Sequence, residues 1–529
     1  MAAATEAART EFLVGELAVV VLVELQQLGV GLRYFRLREN AVRIGVKDGR
    51  DRRRDTVNTG LQGTSGLQNL NAFAAAPPAI PTPVFQIPVT TAQNFVTTGN
   101  NNVQGLIDPN MRPPYVQQWN FGIQQDFKGT IFEARYVGNH AVKLARQIDF
   151  NQIHIKDGGF LTDFINARNN GLASLAATGT FNATFNANIP GSVPLPFFNA
   201  LPSGGLLTNA TVRGDVLSGQ VAALAQLYQA NNFFPSTIPG YSYFPNPNAL
   251  YSSELAPFSN SSYNGLQLEA RRRLSHGIQF QASYVFSKAL SDTSVERGLD
   301  ALLDNGNPSI EKARAPWDLT HSFKANFFMP LPFGAGHRFG GGRMANRVIG
   351  GWAFSGIVTI NSGAPISILS ARGTLNRPAR AGENTVDSTS TLGQLTANSG
   401  LFMTGNGPFF INPAAIGTNG QGVAPDGQAP FAGQLFTNPV AGSVGGLQRR
   451  DLSGPWFKNY NMSLLKDTKI TERQSIQFKA DFYNLFNHPN FFAGDTNVNS
   501  TTFGQITSML YSADGVGPRL LQFGLTYKF

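Results

Sequence analysis

The chain has 529 residues, a formal net charge of +9 and no cysteine. The lack of cysteine excludes disulfide scaffolds, thiolate zinc sites and thiol nucleophiles. Charged residues make up 14% of the chain, which contains 56 Gly and 41 Phe. This composition is unlike that of an ordinary cytosolic enzyme and suits a β-sheet with one face against lipid. The basic run at residues 50–54 is interrupted by Asp51, which favours a solvated segment over a nucleic-acid site.

The N-terminal part of the sequence differs in texture from the rest. Its longest apolar stretch, residues 12–25, contains Glu16 and Glu24 and is too short for a membrane-spanning helix. The acidic residues before it make a poor signal peptide. We therefore interpret residues 1–60 as an atypical segment, either helical or a misassigned start, and residues 61–529 as the structural domain.

Strand-like alternation begins in the second hundred residues. Trp119, Phe121 and Ile123 alternate with polar or small neighbours, and a turn at Lys128-Gly129 leads into a second alternating run. Because side chains on a strand point to opposite faces in turn, this pattern predicts a β-hairpin with one apolar face. The same pattern predicts strands around residues 266–271, 278–287, 321–327, 352–360, 460–464, 476–482 and 521–529.

The connections between these predicted strands come in two sizes. Residues 275–277 and 331–334 predict tight turns, whereas residues 158–259 and 368–454 are long, rich in Asn, Gly, Pro and Ala, and show little strand pattern. Short turns on one side and long loops on the other are typical of outer-membrane barrels. The sequence thus predicts an all-β fold: a partial transmembrane antiparallel β-barrel of roughly 12–16 strands with long extracellular loops.

Several sequence blocks resemble a known family. They are, in chain order, Pro113-Pro114-Tyr115-Val116-Gln117-Gln118-Trp119-Asn120-Phe121-Gly122-Ile123-Gln124, Ala134-Arg135-Tyr136-Val137-Gly138-Asn139, Tyr263-Asn264-Gly265-Leu266-Gln267, Tyr284-Val285-Phe286-Ser287-Lys288-Ala289-Leu290, Pro316-Trp317-Asp318 with His321, Leu331-Pro332-Phe333-Gly334, and Phe482-Tyr483-Asn484-Leu485-Phe486-Asn487-His488-Pro489-Asn490-Phe491. Together with the terminal strand, these blocks resemble large TonB-dependent receptors of the Oar-like type found in Acidobacteria.

The resemblance implies an outer-membrane receptor barrel that captures a small ligand and passes it across the membrane. Receptors of this class have about twenty-two strands, so the chain is expected to be a C-terminal portion without its plug. The expected partners are outer-membrane lipid, lipopolysaccharide and an unidentified small ligand. The TonB complex is a partner only if a plug and a TonB box are supplied upstream, and no nucleic-acid partner is expected.

Two other functions remain open from the sequence. A passive porin-like channel needs no plug, and a secreted adhesion or carbohydrate-binding protein can bury the same alternating strands in a soluble sandwich. We expect that the chain does not act as an enzyme in any of these three functions. We predict no catalytic, cofactor-binding or metal-binding residues and no cofactor.

Some residues invite a chemical role but are better interpreted as structural. His321 with Asp318 and Arg314 fits a strand start at a barrel rim better than an acid–base site. His488 is interpreted as a turn residue because no second histidine stands at ligand spacing.

Three further groups are also interpreted as structural or as unassigned. Asp292, Asp300 and Asp304 fit a solvated loop better than a calcium loop, and the glycines between residues 334 and 342 fit a flexible turn. For Arg271, Arg272 and Arg273, contact with lipid phosphates and a position in the lumen remain equal alternatives.

Overall fold

The computed structural model describes residues 103–275, 277–293, 301–335, 339–340, 342–510 and 517–529. The prediction for residues 1–60 lies outside these ranges, as do His276, Asp300 and two of the glycines between 334 and 342. Among the helices of the described ranges, none has the length and apolar character needed to span a membrane.

The described residues form fifteen strands and seven α-helices. The strands are β1 Val103–Ile107, β2 Tyr115–Phe127, β3 Thr130–Asp149, β4 Tyr251–Ser275, β5 Ile278–Ser291, β6 Ala313–Arg314, β7 His321–Pro330, β8 Trp352–Asn361, β9 Pro365–Ile366, β10 Ser399–Thr404, β11 Gly407–Ile411, β12 Leu452–Ser453, β13 Phe457–Lys469, β14 Ser475–Tyr483 and β15 Leu520–Lys528. The α-helices are α1 Phe160–Thr178, α2 Pro196–Ala200, α3 Ala210–Ser218, α4 Val221–Ala230, α5 Arg343–Ile349, α6 Pro378–Ala381 and α7 Leu392–Ala397. Short 3-10 helices cover Asp157–Gly159, Pro202–Leu206, Pro308–Glu311 and Pro413–Ala415.

Eleven of the strands form one sheet. Its main path runs β2-β3-β4-β5-β7-β8-β13-β14-β15, with β1 paired to β4 and β6 paired to β5. Every neighbouring pair on the main path is antiparallel. The predicted antiparallel sheet is therefore confirmed, and chain neighbours lie side by side as in a meander.

The register aligns one apolar face across all nine strands of the main path. Phe121 pairs with Tyr136, which pairs with Leu266 on the next strand. The apolar face comprises Trp119, Phe121, Ile123, Phe132, Ala134, Tyr136, Leu266, Leu268, Ala270, Phe280, Ala282, Tyr284, Phe286, His321, Phe323, Ala325, Phe327, Phe354, Val358, Ile360, Tyr460, Met462, Leu464, Phe478, Ala480, Phe482, Leu521, Phe523, Leu525 and Tyr527. Because a one-residue slip would reverse the faces, this continuity supports the alternation predicted for each strand.

The two predicted hairpin turns lie where the sequence placed them. Lys128 and Gly129 both have positive φ, at 52° and 76°, and join β2 to β3. Positive φ at both central residues gives the twist that two-residue hairpins prefer. Ser275 pairs with Ile278 across the second turn, which contains Gly277 at a φ of 80°.

We expect Gly129→Ala to destabilise the folded chain by about 1–2 kcal/mol, because a Cβ is strained in the left-handed region. The measurement is the urea midpoint of unfolding in detergent micelles. Gly122→Ala is the matched control, since a Cβ there meets no atom closer than 3.5 Å and φ is not positive. Equal midpoints for the two variants would contradict the assignment of strain to this turn.

The connections alternate strictly between the two ends of the sheet. At the turn end they are residues 128–129, 276–277, 331–351 and 470–474, and at the loop end they are residues 150–250, 292–320, 362–456 and 484–519. Two turn-end predictions are wrong in detail. The connection after residue 330 contains α5, whose Arg, Met and Ala favour a helix, and β13 continues past Asp467 because Lys469 still pairs with Ser475.

The long connections were predicted as irregular, and the structure corrects this. Residues 158–259 contain α1 to α4, and β4 already begins at Tyr251. The buried residues Phe160, Phe164 and Ala167 of α1 follow helical spacing, which explains the helix. Residues 368–454 contain α6, α7 and the β10–β11 hairpin. Residues of both long segments thus contribute to buried hydrophobic cores at the loop end.

Candidate functional site

Aromatic side chains lie at both ends of the apolar face. At the loop end the ring of His321 stacks on Trp456, with centroids 5.9 Å apart, and packs against Phe286 at 5.2 Å. At the turn end Lys466 places its Nζ 5.7 Å from the ring centre of Trp352. Amphipathic rings in two bands are typical of strands that cross a membrane between its two interfaces.

The first long connection, residues 150–250, folds around a cluster of aromatic rings. The ring of Phe160 lies 5.1 Å from that of Tyr243 and 5.3 Å from that of Phe197, and none of the three is exposed by more than 5%. Edge-to-face pairs of this kind stabilise a packed core. The connection is therefore a folded body with a defined surface.

The third and fourth loop-end connections, residues 362–456 and 484–519, share another core. Phe410, Phe436 and Phe503 are fully buried in it, and the rings of Phe436 and Phe503 meet edge to face at 5.9 Å. Leu375 from the third connection is buried in the core of the first. We call the described residues of 150–250, 362–456 and 484–519 together the cap.

Arg372 joins all three segments of the cap. Its Nη1 and Nη2 donate to the two carboxylate oxygens of Asp426 at 2.7 and 2.8 Å. Nη1 also donates to the carbonyl oxygen of Ser218 at 2.9 Å, and Nη2 donates to Oδ1 of Asn499 at 2.7 Å. The planar guanidinium satisfies these acceptors at once, which an ammonium group cannot do.

We expect Arg372→Lys to loosen the cap by about 1.5–3 kcal/mol, the contribution of a charge-assisted hydrogen bond. Limited proteolysis within the cap should then become at least tenfold faster, because cleavage follows the population of opened molecules. Arg213→Lys is the matched control, since Arg213 is exposed on α3. Equal cleavage rates in the two variants would contradict the joining role of Arg372.

A buried cluster of charges attaches the cap to the sheet. Glu311, from the second loop-end connection, is fully buried. Its carboxylate lies 3.0 Å from Nη2 of Arg146 on β3 and 3.7 Å from Nη2 of Arg380 in α6, and it accepts a short hydrogen bond from Arg449. Arg449 also pairs with Glu383. The cluster thus connects strand β3 to the second and third connections.

The electrostatics of this cluster favour its charged state. Burial desolvates Glu311 and raises the pKa of its carboxyl, but the charges of Arg449, Arg146 and Arg380 outweigh burial and hold that pKa below its ordinary value. Burial and the neighbouring Arg449 lower the pKa of Arg450 to about 10. Glu311 is therefore held in its charged form, and the cluster holds the cap as a set of ion pairs.

A pocket of about 460 Å³ opens on the polar face of the sheet. This volume lies in the size range of small-molecule sites. Asn139, Tyr263, Ser287 and Ser322 line it from β3, β4, β5 and β7, and Trp317 lines it from the second loop-end connection, residues 292–320. We call it the rim pocket. Its position on the polar face at the loop end of the sheet makes it the candidate site for a ligand.

Of the three residues that could suggest acid–base chemistry, the structure pairs Asp318 with Arg314, whereas His321 has a different partner. The carboxylate of Asp318 accepts hydrogen bonds from Nε of Arg314 at 2.9 Å and from the backbone N–H of Ala289 at 2.6 Å. His321 instead meets the hydroxyl of Tyr284, with 2.8 Å between Oη and Nδ1. Both partnerships are structural and hold the rim of the sheet.

The remaining candidate residues from the sequence occupy ordinary positions. His488 donates its backbone N–H to Asn484 at 2.9 Å within a turn. Asp304 accepts the backbone N–H of Gly306 at 2.8 Å, and Asp292 lies 4.0 Å from Arg146. Across the described part of the chain, no group of three or more His, Asp and Glu residues is arranged to hold a metal ion. Of the three arginines, Arg271 lies 3.9 Å from Glu269 on the polar face.

Sequence reasoning missed the cap's cores, the cluster around Glu311 and the rim pocket. The apolar spacing from Phe160 to Ala167 was a usable signal for α1. The Glu311 cluster had no local signal, because Arg449 stands 138 residues from its partner.

One family model, described as an outer membrane beta barrel domain, matches residues 44–522. No curated protein matches the sequence. Solved structures with some similarity include the outer membrane transporter YddB from Escherichia coli, with 6% identity and a TM-score of 0.32 over 81% of this chain and 34% of that chain. They also include the pyoverdine receptor FpvA from Pseudomonas aeruginosa PAO1, with 9% identity and a TM-score of 0.28 over 81% of this chain and 31% of that chain. A third is the copper transporter OprC, with 9% identity and a TM-score of 0.24 over 80% of this chain and 33% of that chain.

The chain thus spans about one third of the length of these solved structures, and at TM-scores below 0.5 the similarities carry no argument. The family match, in contrast, extends over most of the chain. It confirms the predicted fold class and the predicted location, and a soluble sandwich does not fit it. The protein belongs to the outer membrane β-barrel domain family and resides in the outer membrane.

Proposed function

We propose that this chain forms the wall and the outer cap of a ligand-uptake receptor of the TonB-dependent, Oar-like type. The observation that carries the proposal is the cap: three long connections at one end of the sheet fold into cored bodies joined by Arg372 and attached through Glu311. A fixed surface of this kind suits the capture of a specific ligand. A passive channel needs a clear entrance rather than a folded cap.

In this proposal the ligand binds between the cap and the sheet and then passes along the polar face. The apolar face and its aromatic bands contact membrane lipid and lipopolysaccharide. Energised passage requires a plug and a TonB box, and the TonB complex is a partner on that condition. The chain carries out no covalent chemistry and acts as a receptor and transporter.

The proposal is tested with the full chain folded in detergent micelles and in liposomes. Ferrichrome, cyanocobalamin, maltotriose and tetra-alanine represent iron chelates, vitamins, sugars and peptides. We expect saturable binding of at least one probe, and weaker binding of that probe by Glu311→Gln. Liposome swelling by all four solutes without saturable binding of any would instead support the porin-like channel and overturn the receptor.

A further inference from the structure

The rim pocket is built around an aromatic side chain that lies along the sheet. A Cβ placed on Gly265 would come within 2.9 Å of Cζ and 3.1 Å of Cε1 of Tyr263. Because Gly265 has no side chain, the ring of Tyr263 occupies the space above it, two residues further along β4. Asn139 and Ala289 are its direct partners on the flanking strands. The ring forms part of the pocket's floor.

A second aromatic side chain lines the same pocket from above the sheet. Trp317, in the second loop-end connection, keeps half of its surface exposed. An exposed tryptophan beside a tyrosine offers apolar ring faces at low conformational cost. A ligand with flat apolar faces is therefore favoured.

Two serine hydroxyls in the lining of the pocket offer hydrogen-bond acceptors to a ligand. The Ser287 hydroxyl donates to the carbonyl oxygen of Leu319 at 3.1 Å, and the Ser322 hydroxyl donates to Oδ1 of Asn361 at 2.8 Å. A hydroxyl that has donated its hydrogen retains lone pairs that accept hydrogen bonds. The ligand that matches these oxygens brings several hydroxyl donors.

Among the described residues, those that line the pocket provide no counter-charge for an ionic ligand. The carboxylate of Asp318 in this lining is 2% exposed and is already bonded to Arg314 and to the backbone N–H of Ala289. Burying an uncompensated charge beside these groups is costly. The pocket therefore disfavours anionic chelates and charged peptides.

We infer that the rim pocket binds a neutral carbohydrate, which combines apolar ring faces with hydroxyl donors. The inference rests on the proposed receptor function and names its ligand class. In the inferred complex, one sugar ring packs against Tyr263 and Trp317, and its hydroxyl groups donate to the hydroxyl oxygens of Ser287 and Ser322.

The test is isothermal titration calorimetry of the full chain in detergent micelles with maltotriose, cellotriose and the anionic trisaccharide trigalacturonate. We expect saturable binding of at least one neutral trisaccharide and none of trigalacturonate. Trp317→Ala should weaken binding at least tenfold, and Tyr263→Leu should do the same. Trp352→Ala is the matched control, because Trp352 lies on the apolar face at the opposite end of the sheet and should leave binding unchanged.

Heat-modifiable gel mobility shows that each variant is folded before its binding is scored. The inference is overturned if folded wild-type chain binds neither neutral trisaccharide at millimolar concentration, if trigalacturonate binds equally well, or if Trp317→Ala binds normally. Saturable binding of ferrichrome or cyanocobalamin without trisaccharide binding would overturn the sugar class while leaving the receptor function supported. Swelling by all solutes without saturable binding would overturn both.

Discussion

Glu311→Gln should open the cap more than Arg372→Lys does. The change removes one charge at constant shape and leaves the guanidinium groups of Arg146, Arg380 and Arg449 without the carboxylate at their centre. Breaking a buried ion pair costs about 3–5 kcal/mol. The readout is hydrogen exchange of the Leu303 amide, which donates to Glu311 at 2.6 Å and which should exchange about 150- to 5,000-fold faster.

Glu472→Gln provides the control for this substitution, because Glu472 is exposed in a connection at the opposite end of the sheet. Its effect on the Leu303 amide should be negligible. Retained protection of that amide in Glu311→Gln would show that backbone packing, rather than the ion pairs, holds the cap.

The same cluster predicts a dependence on pH. The pKa of Glu311 is lower in the folded chain than in the unfolded chain, so its stabilising contribution is complete above the ordinary pKa of glutamate and is lost as pH falls through the folded value. The difference in exchange between wild type and Glu311→Gln should therefore be largest at neutral pH and shrink in acid. A difference that stays constant down to strongly acidic pH would contradict the electrostatic account.

The second large effect concerns the apolar face. Ala325 lies at the middle of β7, between Ala282 and Val358 on the neighbouring strands. An arginine on the lipid side at the middle of the membrane costs about 2–4 kcal/mol. We expect Ala325→Arg to lower the yield of heat-modifiable, folded chain in liposomes at least tenfold.

The adjacent position supplies the matched control. Asn326 follows Ala325 on the same strand but points to the polar face. Asn326→Arg places the same charge one residue away and should fold with nearly wild-type yield. If the two variants lost folded yield to the same extent, the assignment of the two faces would be wrong.

The strands were predictable because their signal is local and repeated. Alternation at Trp119, Phe121 and Ile123, or at Leu521, Phe523 and Leu525, requires only neighbouring residues, and the observed register joins these runs into one face. The cap was not predictable in this way. Its helices lie among Asn, Gly and Ala residues, where helical spacing is diluted, and its cores combine residues from separate connections.

The rim pocket illustrates a different limit. Tyr263 belongs to one of the sequence blocks that carry the family resemblance, but the orientation of its ring depends on the space above Gly265. Trp317 reaches the same pocket from a connection that begins after β5. No sequence pattern relates Tyr263 to Trp317, which follows it by 54 positions.

The direction of the two outermost strands limits how this sheet can close. The main path has nine strands and eight antiparallel neighbours, so β2 and β15 run the same way. If β2 paired directly with β15, the two strands would be parallel. The same holds where β15 of one copy would pair with β2 of a second copy that faces the same side of the membrane. Antiparallel closure takes an odd number of additional strands between β2 and β15, which restores the even total typical of bacterial barrels.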